Sequence, residues 1–197
     1  VFVVSHWRTF IAIELSDSVR ETIQNAITTL QGSVPSHAIR WVSANNLHLT
    51  LKFLGDTPQA QIQAIQTQLH TTAKKQHPFT IEVADSGYFP NMSNPRVIWL
   101  GLKNASGELN TLQQAVENIM VEFGFAKEKR PFKPHLTVGR VKQHIDKQIL
   151  TKIGQELNRN RLGSLAIWEC NLISFIKSDL TPNGALYTTL AQLPFNQ

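Results

Sequence analysis

Apolar positions along this chain recur in two periods, and the switches between them mark out its elements. Phe10 to Leu15 (FIAIEL) is a short apolar run that predicts a buried strand. Ser18-Val19-Arg20-Glu21 has the form of a capping box. Val19, Ile23, Ala26, Ile27 and Leu30 then repeat at helical spacing until Gly32. IRWV (39–42) predicts a short strand, and the polar turn Ser43 to Asn46 separates it from a second apolar run, LHLTLKFL. Thr57 and Pro58 suit the N-cap and first position of a helix whose inner stripe is Ile62, Ile65 and Leu69. Strands are expected at Phe79–Val83 and Arg96–Leu102, divided by a Pro/Asn-rich loop from Tyr88 to Pro95.

Leu109, Leu112, Val116, Ile119 and Phe123 mark a third helix, ended by Gly124. The loop AKEKRPFKP leads into a strand from His135, with Pro131 and Pro134 favouring an extended entry. A fourth helix is expected near Asp146 to Leu157. The last strands are Leu165–Ile176 and Ala185–Leu190, with a turn at Thr181-Pro182-Asn183-Gly184. Strand pairs punctuated by helices favour an α+β protein over a continuous βαβ array.

Two of these strands carry the same polar pattern. His48-Leu49-Thr50 and His135-Leu136-Thr137 each lie within an apolar run. Side chains alternate across a strand, so each histidine shares a face with its threonine while the leucine points to the core. Two imidazoles can give and take protons near neutral pH, and two hydroxyls can donate to an anion. That set suits metal-free cleavage of a phosphodiester. One motif in each half suggests a weak duplication, with the halves facing each other across a shared cleft.

Composition sharpens this reading modestly. The 197 residues suffice for one domain, or one domain of two lobes, and 42% hydrophobic with 17% charged residues is ordinary for a globular enzyme. The chain carries 19 Lys+Arg against 14 Asp+Glu, a net charge of +5 that favours polyanions. Lys127, Lys129, Arg130, Lys133 and Arg140 cluster around the second motif. The single cysteine, Cys170, excludes an internal disulfide, fits a reducing cytoplasm, and sits in an apolar run that suits a buried thiol. No apolar stretch is long enough for a membrane span. The opening VFVVSHWR is too soon interrupted for a signal peptide, and without an initiator Met the numbering can begin inside an extension.

Rival chemistries lack their signatures. A catalytic zinc site usually takes a third protein ligand. There is no HExxH or CxxC and no acidic cluster beside either histidine, although Asp56 or Asp85 could fold into range. His6, His37, His70, His77 and His144 are expected in loops or on polar helix faces. Neither GxSxG nor GxxxxGK[ST] is present, which disfavours a serine hydrolase or a triphosphate-binding loop.

RTFIAIEL (8–15), RWVSANNLHLTLKFLG (40–55), the FP…VIWLGL region (89–102), RPFKPHLTVGR (130–140) and SDLTPNGALYTTL (178–190) together resemble the two-histidine phosphoesterase superfamily. Within it, the likeness is to the RNA 2′,3′-cyclic phosphodiesterases historically called 2′-5′ RNA ligases. The resemblance implies a bilobal α+β fold, residues 1–197 as one domain, with two antiparallel sheets flanked by helices and enclosing a central cleft. It maps the two HxTx motifs onto His48–Leu51 and His135–Val138. It implies His48 as proton donor to the leaving 3′ oxygen, His135 as the base that activates water, and Thr50 and Thr137 as phosphate ligands. It also matches Arg140 to a phosphate-binding arginine five residues after the second histidine. Strict alternation objects, since it sets Arg140 on the face opposite His135 and Thr137; a bulge near Gly139 would bring it round. Phe10, Phe132 and Tyr187 are large enough to stack on a base, though packing in the core is the expected role of each.

The expected activity is hydrolysis of an RNA 2′,3′-cyclic phosphate, as on tRNA fragments, to a 2′-phosphomonoester. It would be carried out by a cytoplasmic monomer with no cofactor, metal or membrane partner. Ligation to a 2′-5′ linkage and cleavage of 2′-5′ oligonucleotides are alternatives in the same site. A basic RNA-binding module with structural histidines is an alternative of another class; its binding would be salt-sensitive and indifferent to the RNA terminus.

Overall fold

The computed structural model describes residues 5–182 and 184–197. In chain order its elements are β1 (His6–Glu14), α1 (Asp17–Ser33), β2 (Ile39–Trp41), β3 (His48–Pro58), α2 (Ile62–Ala73), β4 (Phe79–Phe89) and β5 (Val97–Lys103). They continue with α3 (Glu108–Glu122), β6 (His135–Val141), α4 (Lys147–Arg159), β7 (Ser164–Cys170), β8 (Leu172–Thr181) and β9 (Gly184–Pro194). The protein is α+β, as the strand and helix periods imply.

The strands lie in the order β7-β4-β5-β6-β3-β1-β8-β9, with β2 on β6, and the paired neighbours are antiparallel. The path divides into two half-sheets, β3-β1-β8-β9 and β6-β5-β4-β7. They meet at β3 and β6, whose registered pair among the described residues is Leu49 with Leu136. Both leucines are fully buried, at 1% and 0% exposure, and such burial contributes about 1.5–3 kcal/mol per side chain. They join one core with the helix stripes Val19, Ile23, Ile27 and Leu30 of α1, Ile65 and Leu69 of α2, Leu112 and Val116 of α3, and Ile153 of α4. The helices thus cover one side of the sheet, and the polar members of the two motifs stand on the other.

Several local expectations fail for identifiable reasons. Ser16, not Ser18, precedes α1, and no side-chain cap forms there; the two hydroxyls bond each other at 3.2 Å. β3 runs through Pro58, so Thr57 is a strand residue whose buried hydroxyl meets that of Thr9 at 2.8 Å, and α2 starts only at Ile62. The run Leu165–Ile176 is two strands. Cys170 pairs with Phe79 in one half, while Leu172 pairs with Pro194 in the other, so the chain crosses between half-sheets at Asn171. β4 extends to Phe89, taking up the start of the expected Tyr88–Pro95 loop. His6 lies in β1 rather than a loop. The turn expected at Thr181 to Gly184 does join β8 to β9; Asn183 and the opening VFVV lie outside the described residues.

Candidate active site

β3 and β6 place the two motifs side by side. Leu49 faces Leu136, so continuing that antiparallel register would set His48 across from Thr137 and Thr50 across from His135. The strands diverge beyond the leucine pair, leaving the two imidazoles and two hydroxyls half-buried on the open side of the sheet.

Both rings are held by the same device. His48 Nδ1 lies 2.8 Å from Asn46 O, and His135 Nδ1 lies 2.6 Å from Lys133 O. A carbonyl only accepts, so each Nδ1 donates its proton to the residue two positions earlier. Each Nε2 is thereby left to accept a proton, or to carry one when the ring is charged.

The surroundings of the two rings differ. His48 stacks on Phe10 (centroids 4.7 Å apart) and meets the edge of Tyr187 at 5.2 Å. Phe10 and Tyr187 therefore flank an imidazole, while Phe132 packs against the core. Glu14 is the cross-strand partner of His48, and it accepts a short hydrogen bond from Ser174. Burial holds the His48 imidazole below the ordinary histidine value, while the Asn46 hydrogen bond and the Glu14 charge pull it back up. His135 instead has Gly101 across the strand and the edge of Phe89 at 5.3 Å, and Lys133 lies 6.0 Å over that same phenylalanine ring.

Arg140 reaches the open side because β6 carries an irregularity. Ile98 pairs with Gly139 and Trp99 with Thr137, which leaves Val138 as an extra residue. Val138, Gly139 and Val141 are buried and Arg140 is exposed, so the extra residue moves Arg140 into phase with His135 and Thr137. Its charge, with that of Arg8, also acts on Tyr187 of the other half, opposing the upward push of burial on that phenol. β3 has a matching irregularity: Ile11 pairs with Lys52 and Ala12 with Thr50, leaving Leu51 extra. The residue brought round there is Phe53, 63% exposed and 5.8 Å from Phe10.

Other residues brace the site. Asn46 fixes His48 through its carbonyl, while its side-chain amide donates to Ala185 O of β9 at 3.0 Å, tying the strand of Tyr187 to the loop before His48. Arg20 donates to Ala44 O and Leu15 O. Lys52, nearly buried, donates to Glu117 at 2.7 Å and to Ala126 O at 2.8 Å, anchoring the start of the basic loop. Sequence patterning missed Glu14, Asn46 and Phe53. Phe53 carried a signal in the repeated spacing, since it follows His48 by the interval that separates Arg140 from His135. Glu14 and Asn46 become visible only through pairing with distant segments.

The remaining candidates stand apart. Asp85 pairs with Lys103 at 2.8 Å and Asp56 is exposed on β3. Among the described residues, no group of three or more His, Cys, Asp or Glu could hold a metal ion. Burial pushes the Cys170 thiol up to about 12, so it stays protonated and unreactive. Arg130 is engaged with Glu128 at 3.3 Å and Lys127 with Asn118 at 2.7 Å, so two members of the basic cluster are partnered locally. Among the described residues, no helix is long and apolar enough to cross a membrane.

Known proteins share this architecture. The family model of the 2′-5′ RNA ligase superfamily matches residues 19–180. A Methanothermobacter thermautotrophicus protein named RNA 2′,3′-cyclic phosphodiesterase is 34% identical over 183 residues, covering 93% of this chain and 96% of the relative. One of the same name from Archaeoglobus fulgidus is 33% identical, covering 93% and 97%. The crystal structure of Escherichia coli LigT complexed with 3′-AMP has a TM-score of 0.74 at 25% identity, covering 98% of this chain and 99% of that one. The crystal structure of a Thermus thermophilus protein, TT0787, has a TM-score of 0.78 at 26% identity, covering 95% and 97%.

Proposed function

The chain belongs to the 2′-5′ RNA ligase superfamily, and from that membership and the paired histidines we propose that it hydrolyses RNA 2′,3′-cyclic phosphate ends to 2′-phosphomonoesters without a metal. The observation that carries this reading is the identical tethering of two imidazoles on adjoining strands, each with Nδ1 committed and Nε2 left for proton transfer. Residues 1–197 act as one two-lobed unit.

In the reaction, His135 Nε2 takes a proton from water as its oxygen bonds to phosphorus. The bond from phosphorus to the 3′ oxygen breaks, and His48 Nε2–H protonates that oxygen. The phosphate stays on the 2′ oxygen, and solvent later returns the proton balance between the rings. Thr50 and Thr137 hydroxyls and the Arg140 guanidinium hold the non-bridging oxygens. Glu14 stands across the strand from His48, and its charge partly opposes the lowering that burial imposes on that imidazole. The negative charge of a bound phosphate adds to that opposition and favours the protonated ring that the donor role needs.

Metal independence is supported by the donor set: among the described residues, the two histidines have no third ligand grouped with them. Turnover of a nucleoside 2′,3′-cyclic monophosphate should survive exhaustive chelation. Activity lost to chelation and restored by zinc or manganese would overturn the mechanism.

A further inference from the structure

Beside Arg140 the fold leaves an open recess of about 570 Å³ lined by Arg96, Val97, Arg140, Val141, Gln143 and His144. Its basic residues come from three segments of the chain. The Arg96 main chain is fixed on both sides, its N–H donating to Phe89 O at 2.7 Å and its carbonyl accepting from Val141 N at 3.0 Å, and its side chain is exposed. Arg140 enters by way of the extra residue at Val138. His144 is set in the turn after β6 at a left-handed φ of 59°. Among the described residues, neither arginine has a carboxylate within salt-bridge distance, a feature they share with Arg8, Arg40 and Arg161.

We propose that this recess is a second phosphate site, which takes the phosphodiester joining the last two nucleotides of an RNA whose cyclic end lies between the histidines. The inference rests on the hydrolase reading. The Arg96 guanidinium, an amide and an imidazole offer several donors to one anion, with Arg140 standing between it and the cyclic phosphate, and arginine matches phosphate oxygens in pairs. Arg140 connects the recess to the motif face, since it lines the one and is in phase with His135 and Thr137 on the other. An RNA ending in a cyclic phosphate continues only through the 5′ oxygen of its last sugar. The next anion along it is therefore that phosphodiester. The protein should accordingly favour an oligonucleotide end over a mononucleotide.

The test is equilibrium binding of two stable ligands, a short RNA ending in a 2′-phosphomonoester and a nucleoside 2′-phosphate. Wild type, Arg96→Gln and His144→Asn are compared; asparagine tolerates the left-handed backbone at 144. The advantage of the RNA over the mononucleotide should fall about tenfold in Arg96→Gln and by less in His144→Asn. The slope of log affinity against log salt should become shallower by about 0.7 in the arginine variant, the loss of one phosphate contact on a single strand. An undiminished advantage in both variants, or equal weakening of both ligands, would overturn the proposal. Binding is read without turnover, so a protein that shows the advantage but leaves a cyclic phosphate uncut counts against the hydrolase reading and not against the recess.

Discussion

His48 and His135 donate the same ring proton to a carbonyl two residues back, yet they stand in opposite surroundings. The first half-sheet gives His48 a stacked Phe10, the Tyr187 edge and the Glu14 carboxylate, and its irregular strand brings round Phe53. The second gives His135 an open position across Gly101, and the matching irregularity brings round Arg140. The first wall joins aromatic rings to the Glu14 carboxylate, and the second joins Phe89 to the cations Lys133 and Arg140. Two strands thus hold like groups in place by the same tether, among unlike neighbours.

The harshest way to break the comparison is to remove one imidazole at a time. Positioned acid–base groups contribute about 10²–10⁴-fold, so His48→Ala and His135→Ala should each abolish most turnover of a cyclic nucleotide with the fold intact by circular dichroism. Groups that act as a unit are not additive, and the double variant should be little worse than either single one. A near wild-type rate for either single variant is incompatible with the site described.

Exchanging the demands on the two walls has the next largest effect. Arg140→Ala should lower kcat/KM by about 10²-fold, the usual scale for losing a donor to a charged transition state. Phe53→Ala should cost less, about tenfold, and act through KM, since aromatic stacking on a base contributes roughly 1–3 kcal/mol. Steady-state kinetics separate the two. Equal losses in kcat for both variants would erase the contrast between the walls.

That contrast was only half legible in the sequence. The alternation in LHLTL and HLTV announced both motifs because a strand's faces are local. Arg140 was legible as a residue but not as a neighbour. Its phase depends on Val138 going unpaired between Gly139 and Thr137, and pairing with β5 is not local. Glu14 comes beside His48 through a strand pair that spans much of the N-terminal segment, and no spacing rule carries that information. The apolar run around Cys170 failed similarly. It reads as one strand, and only the competing partners Phe79 and Pro194 divide it at Asn171. Thr57-Pro58 had sound helix-start chemistry but was captured by the Thr9 hydroxyl in the sheet.

Glu14→Gln probes the asymmetry most gently. The Glu14 charge raises the His48 pKa, so removing it should lower that pKa further. The donor must be protonated to act, and the high-pH limb of the rate profile should therefore move to lower pH while the low-pH limb shifts less. The limbs belong to the coupled pair, so the comparison is between whole profiles of the two proteins. A limb displaced to higher pH would contradict the role given to Glu14.

The division of labour between the histidines is tested most directly by the product. A 2′,3′-cyclic phosphate is digested to completion and the phosphomonoester isomers are resolved by phosphorus NMR. With His48 protonating the 3′ oxygen and His135 delivering water roughly in line with it, the phosphate should be found on the 2′ oxygen alone. A 3′-phosphate, or comparable amounts of both, would mean that His48 does not serve the 3′ oxygen.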